Sequence, residues 1–249
     1  MNVFQPNADT IYRNAKITPG GHYRIQGKAG NLSIFKMAQF GPTPVDTGKG
    51  VRAFGYYDFI TLKQDHDGNF DVQLSVEKPQ NYEGDWWPLN PATEHLMVRM
   101  VSGDWQNQQD PTLAIERLDA PPTKARASVD ELANRLQQLA PTIRNSATFL
   151  VDHAVRLREE GYVNRLKVFD VVSNLAGLYG QFYYEGAYDL KADEALIVEA
   201  TVPEKCSYSS LILTNEIYET TDWYNNHSSL NHSQVRIDID GILRIVVSE

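Results

Sequence analysis

Residues 70–77, Phe-Asp-Val-Gln-Leu-Ser-Val-Glu, alternate strictly between apolar and polar side chains, the two-residue period of a strand with one buried and one wet face. Shorter runs of the same kind predict strands at Ile11 to Ile17, His22 to Gln26, Leu32 to Phe40, Leu96 to Val101 and Leu113 to Leu118, punctuated by Gly, Pro and Asp. The aromatic run Phe54 to Leu62 leads into Asp65-His66-Asp67-Gly68-Asn69, where Asp67-Gly68 predicts a hairpin joining that run to the strand at residue 70. From Ser128 the period lengthens. Leu132, Leu136, Leu139, Ile143, Ala147, Leu150, Ala154 and Leu157 recur every three or four positions, as on one face of an amphipathic helix. Ser128 with Glu131 forms a capping box and Gly161 suits a left-handed stop, so the helix is bounded at about 128–161. Pro141 removes one backbone hydrogen bond inside it, which predicts a kink or two helices meeting end to end. Strand patterns return at Phe182 to Leu190, Ala195 to Val202, Tyr208 to Thr214, Val235 to Ile239 and Ile242 to Val247, the last two joined by a second hairpin signal at Asp240-Gly241.

Strands before and after one helical block predict a mainly β fold. The expectation is a single antiparallel jelly-roll-like β-sandwich over residues 1–249, with strands at about 11–118 and 182–247 and a helical insertion between them. The later strands are expected to resume the sandwich, because their apolar face needs a partner.

The 249 residues are 42% hydrophobic and 22% charged, an ordinary globular composition that excludes fibrous and low-complexity readings. A formal net charge of −9 argues against nucleic acid as a partner. No stretch approaches the roughly twenty apolar residues of a membrane span, and the first residues lack the basic start and apolar run of a secretory signal. Cys206 stands alone, so neither an internal disulfide nor a cysteine-based metal cluster is open to the chain, and a soluble protein of the reduced cytoplasm is expected. The sequons at Asn31, Asn226 and Asn231 would matter only in a secreted chain.

Catalytic motifs are scarce. No Ser stands in G-x-S-x-G, and Thr47-Gly48-Lys49-Gly50 lacks both the first glycine and the Ser or Thr of a phosphate loop. The Asp65 to Asn69 segment places its glycine wrongly for a calcium loop and has Val76 where a bidentate Glu is required. His227 and His232, near Asp238 and Asp240, would point to opposite faces of a strand, so no metal and no cofactor is expected. The aromatic load says more: Tyr56, Tyr57, Tyr82, Trp86, Trp87, Trp105, Tyr183, Tyr184, Trp223 and Tyr224 occur largely in pairs, of which one ring can enter the core and the other line a ligand surface. Arg99 interrupts the apolar run Leu96 to Val101, and Arg244 falls on the face of Val235, Ile237, Ile239, Ile242 and Val246. A guanidinium in either place would be buried and need Asp9, Asp104 or a ligand anion as partner.

Pro6-Asn7-Ala8-Asp9-Thr10-Ile11-Tyr12, Trp87-Pro88-Leu89 through Arg99 to Asp104-Trp105, Ile115-Glu116-Arg117, Asp193-Glu194-Ala195-Leu196, and Ser229-Leu230-Asn231 with Asp240-Gly241 follow one another in the order and rough spacing of the domain of unknown function 1214 family, which the chain resembles over most of its length. The resemblance implies a bacterial jelly-roll β-sandwich and no settled reaction. Members carry helical sequence before the first motif and Asp-Pro-Gly and Asn-Trp-Leu-Asp stretches after the last strand. This chain ends at Ser248-Glu249 without them, so a fragment or a short relative is expected.

The expected function is binding of a small organic ligand, carbohydrate or polycyclic, in an aromatic-lined pocket, with acid/base chemistry open to it. Asp9 would be the base, Tyr12 a hydrogen-bond donor and Arg99 the anion anchor. Asn7, Trp86, Trp87, Trp105, Asn231 and Arg244 complete the ligand-binding set. The competing class is a noncatalytic interaction or homo-oligomerisation module, with the helix packed outside.

Overall fold

The structure is a computed structural model and describes residues 6–42, 53–121, 126–170, 179–222 and 224–248. Alternating side chains build two four-stranded sheets from its first half. β1 (Thr10–Lys16), β2 (Tyr23–Lys28), β3 (Ile34–Phe40), β4 (Gly55–Asp58), β5 (Asn69–Ser75), β6 (Asp85–Pro88), β7 (His95–Val101) and β8 (Thr112–Arg117) follow in chain order. One sheet runs β1-β7-β3-β4 and the other β6-β5-β2-β8. Every ladder in them is antiparallel except β5 with β6, which is parallel. The inward positions of the two sheets, Phe35, Met37, Leu96, Val98 and Met100 on one and Ile25, Val72 and Leu74 on the other, share one core cluster. Burying such side chains contributes about 1.5–3 kcal/mol each before conformational entropy is charged against it.

The hairpin expected at Asp67-Gly68 is not formed. The turn itself closes, with Gly68 at φ +79° and Asp65 N–H donating to the Asn69 carbonyl over 3.0 Å. The flanking runs, however, belong to different layers: β4 pairs β3 in the first sheet and β5 pairs β2 in the second. Between them a single 3-10 turn, Phe59–Thr61, carries the chain across the core and leaves Phe59 fully buried, stacked on Phe35 at 4.1 Å and edge-on to Trp87 at 5.1 Å.

The helical block is one unbroken helix, α1 (Val129–Glu159), with Pro141 inside it and not two helices end to end. Ser128 Oγ accepts from Glu131 N–H over 3.1 Å, and Gly161 takes φ +82° at the far end. Its apolar stripe is not covered where the chain is described: Val129, Leu132, Leu136, Leu139 and Ile143 are 49–82% exposed, and only Leu157 is buried. Near that end α1 docks on its own chain. His153 Nε2 lies 2.8 Å from Glu185 Oε2, and Tyr218 Oη donates to the same oxygen over 3.2 Å.

The later strands are β9 (Lys167–Phe169), β10 (Tyr183–Glu185), β11 (Leu196–Thr201), β12 (Ser210–Ile212), β13 (Ser229–Asn231) and β14 (Ile242–Val247). They pair with one another, β9 with β10, β11 with β14 and β12 with β13, each pair antiparallel. The two larger sheets draw their ladders from residues 10–117. Val235 to Ile239, expected as a strand, contributes only an isolated bridge between Ile237 and Leu243. Among the described residues no helix is long and apolar enough to cross a membrane.

Candidate functional site

Because Leu96, Val98 and Met100 of β7 point into the core, Arg99 between them must point out of the sandwich. Residues directly opposite one another in an antiparallel pair share a face, so the register places Tyr12, Arg99, Lys36 and Asp58 in one row across the outer face of the first sheet. That face is roofed at one end by later segments, and Arg99 is only 7% exposed. Its Nε is buried with no hydrogen-bond partner, and no ion pair among the described residues includes it. The Tyr12 ring lies 6.0 Å from the guanidinium carbon. On the other side Arg99 stands directly opposite a second cation, Lys36, whose Nζ is 3.7 Å from Asp58.

Asp9 enters the same face from the turn before β1. Asn7 Oδ1 accepts from the Asp9 and Thr10 N–H groups, both over 3.0 Å, an Asx turn that fixes the approach to the strand. The buried Asp9 carboxylate is held by three neutral donors from three segments: Trp105 Nε1 at 2.9 Å and Asn231 Nδ2 at 3.1 Å on Oδ1, and Tyr208 Oη at 2.7 Å on Oδ2. Asn231 belongs to β13 and Tyr208 lies two residues before β12, and the β12–β13 ribbon is seated closely. A Cβ on Gly103 would stand 2.2 Å from Cε1 of His232, so any larger residue there would require the His232 ring to move. Ser233 Oγ also donates to the Gly103 carbonyl.

Burial pushes the Tyr12 and Tyr208 phenols above the ordinary tyrosine value, the neighbouring Asp9 charge adding to the rise at Tyr208 and the Arg99 charge opposing it at both. Both phenols stay protonated at neutral pH and act as neutral hydrogen-bonding groups. Neither Asp9 nor Asp104 neutralises Arg99 as expected. Asp9 is engaged as described, and Asp104 caps its own turn through Asn107 Nδ2 at 2.7 Å.

Of the residues predicted for the site, Asn7, Asp9, Trp105 and Asn231 form one hydrogen-bonded cluster, and Tyr12 and Arg99 adjoin it. Trp86 and Trp87 lie elsewhere, on the edge strand β6. Trp87 is buried in the sandwich core against Tyr57 at 4.8 Å, and Trp86 Nε1 donates to Ser75 Oγ at 2.9 Å. Arg244 is not buried. The face expected to enclose it is open, with Ile239 and Val246 exposed, and its guanidinium meets Glu199, Asp238 and Asp240 at 2.7 Å each. Trp223 and the Thr47 to Gly50 loop lie outside the described residues. Sequence reasoning missed Lys36 and Tyr208. Lys36 was readable as the outward residue in Phe35-Lys36-Met37, whereas nothing in Ser207-Tyr208-Ser209 sets its tyrosine apart. Among the described residues no group of three or more His, Cys, Asp or Glu is placed to hold a metal ion.

A solved structure of an uncharacterized protein from Burkholderia cenocepacia matches this chain with a TM-score of 0.89 at 24% identity, over 99% of this chain and 68% of that one. At that identity the likeness shows a shared mainly β fold. The VPA0106 protein from Vibrio parahaemolyticus matches with a TM-score of 0.31 at 17% identity, over 45% of this chain and 31% of that one, which carries no argument. No family model and no curated protein matches the chain.

Proposed function

We propose that the protein binds a small organic molecule through an anionic group seated on Arg99, on the outer face of the first sheet, with Tyr12, Lys36 and Tyr208 around it. One observation carries this reading: Arg99 is buried with its Nε unpartnered while the adjacent carboxylate, Asp9, is committed to three neutral donors. A buried N–H left without an acceptor costs about 1–3 kcal/mol, a cost that an anion seated on the guanidinium would remove. Asp9 in this reading orients Trp105, Tyr208 and Asn231 and is not a base facing the ligand. Binding is therefore proposed without a reaction. The residues that meet here come from three of the separate motifs shared with the domain of unknown function 1214 family, which supports proposing membership of that family. A cytoplasmic setting is part of the proposal and rests on the single cysteine.

Thermal unfolding in millimolar small organic acids tests the reading. Wild-type Tm is expected to rise with acid concentration, and the Arg99→Met protein is expected to show no rise. Equal rises in both proteins would refute it.

A second reading, self-association, is favoured by the exposed stripe of α1. The steps from Leu132 to Leu136, Leu139 and Ile143 are four, three and four residues, the same read from either end. An antiparallel copy of the helix would thus meet it position for position across a two-fold axis.

A further inference from the structure

We infer that the ligand of this site is a planar aromatic carboxylate, its carboxylate on Arg99 and its ring against the exposed face of Trp105. The inference rests on the binding site proposed above and names the class of molecule that occupies it.

The polar groups around Arg99 are already paired among themselves. Asn231 gives Nδ2 to Asp9 and accepts at Oδ1 from Ser233 N–H at 2.9 Å. Tyr208 donates to Asp9, and Asn7 accepts from two backbone N–H groups. A sugar needs several donors and acceptors for its hydroxyls, and these side chains are not free to supply them. The unmet demand is one guanidinium, whose planar fork matches a carboxylate. A phosphate dianion fits less well, because the Asp9 charge is close by and Lys36 is already paired with Asp58.

Trp105 supplies the other half of the recognition. It is 54% exposed, yet its Nε1 is fixed to a buried carboxylate. A large ring left in solvent but pinned by its polar edge is a preorganised stacking surface, since the entropy of ordering it is spent before a ligand arrives. Tyr208, which bonds the same carboxylate and feels the Arg99 charge, links that surface to the guanidinium.

Isothermal titration of the full chain with 2-naphthoate, acetate, glucuronate and inorganic phosphate tests this. 2-Naphthoate is expected to bind at least about tenfold more tightly than acetate, the gain of one aromatic stack and its buried area. In Trp105→Leu the ratio of the two affinities is expected to fall toward one. In Arg99→Met both ligands are expected to lose binding. Arg99→Lys, which keeps the charge but not the fork, is expected to keep weakened binding and guards against reading misfolding as lost recognition. Equal affinities for 2-naphthoate and acetate, or tighter binding of glucuronate or phosphate, would overturn the aromatic class while leaving the anion site standing. No binding of any of the four to a folded wild-type protein would overturn the site itself.

Discussion

Asp9 accepts hydrogen bonds from three neutral side-chain donors and makes no ion pair among the described residues. Asp9→Asn would turn one accepting oxygen into an NH2 group aimed at a donor. The expected loss is about 1–3 kcal/mol of unfolding free energy in urea, with a change in Trp105 fluorescence as its Nε1 loses an anionic partner. The raised phenols make a second prediction. A group whose folded pKa lies above its unfolded value stabilises fully below the unfolded value, here the ordinary 10.0, and the stabilisation is lost as pH rises through it. Wild-type stability should therefore fall steeply above about pH 10, and Tyr208→Phe should be less stable at neutral pH but lose less on going alkaline; urea midpoints at about pH 8 and 11 measure both. At this scale the sequence was legible where Arg99 broke an apolar run, but the same argument misplaced Arg244, which is exposed and paired with three carboxylates. It was silent where the pattern was kept, as at Lys36, which reads as any solvent-facing lysine until the register sets it beside Arg99.

Among the elements, periodicity located α1 and most strands of the first half, because a core that buries alternate side chains imposes that alternation. It failed at β6, whose Asp85-Trp86-Trp87-Pro88 pairs in parallel on a sheet edge, and at the three-residue strands β9 and β13, too short to display a period. The Asp67-Gly68 turn was read correctly as a turn and wrongly as a hairpin. Turn chemistry fixes local backbone and not the strand's partner, which here was decided by Phe59 crossing into the core. The apolar stripe of α1 marks an amphipathic helix but does not say what covers it. Leu136, 72% exposed, separates the alternatives. Leu136→Asp is expected to change the stability of an isolated monomer by no more than about 0.5 kcal/mol, and to shift sedimentation velocity toward the monomer if the helix pairs with a copy of itself. An unchanged sedimentation profile would remove the self-association reading.

Across the whole molecule, a two-layer body and a set of small ribbons meet on the outer face of the first sheet, and the buried polar centre lies where they meet. Residues 9, 105, 208 and 231 reach it from four separate parts of the chain, so their convergence depends on which sheet face the β12–β13 ribbon covers. Asp9, Tyr12 and Arg99, expected to share a site with Trp86 and Trp87, adjoin one another on the outer face of the first sheet, whereas the two tryptophans lie apart from them on the edge strand β6. Arg99 faces outward because its neighbours face in. A crystal structure of the protein grown with saturating 2-naphthoate tests the central claim most directly. The account predicts the ligand carboxylate within hydrogen-bond distance of Arg99 Nε and Asp9 still holding Trp105, Tyr208 and Asn231. A guanidinium found paired with Asp9 or another protein carboxylate, with no ligand beside it, would contradict it.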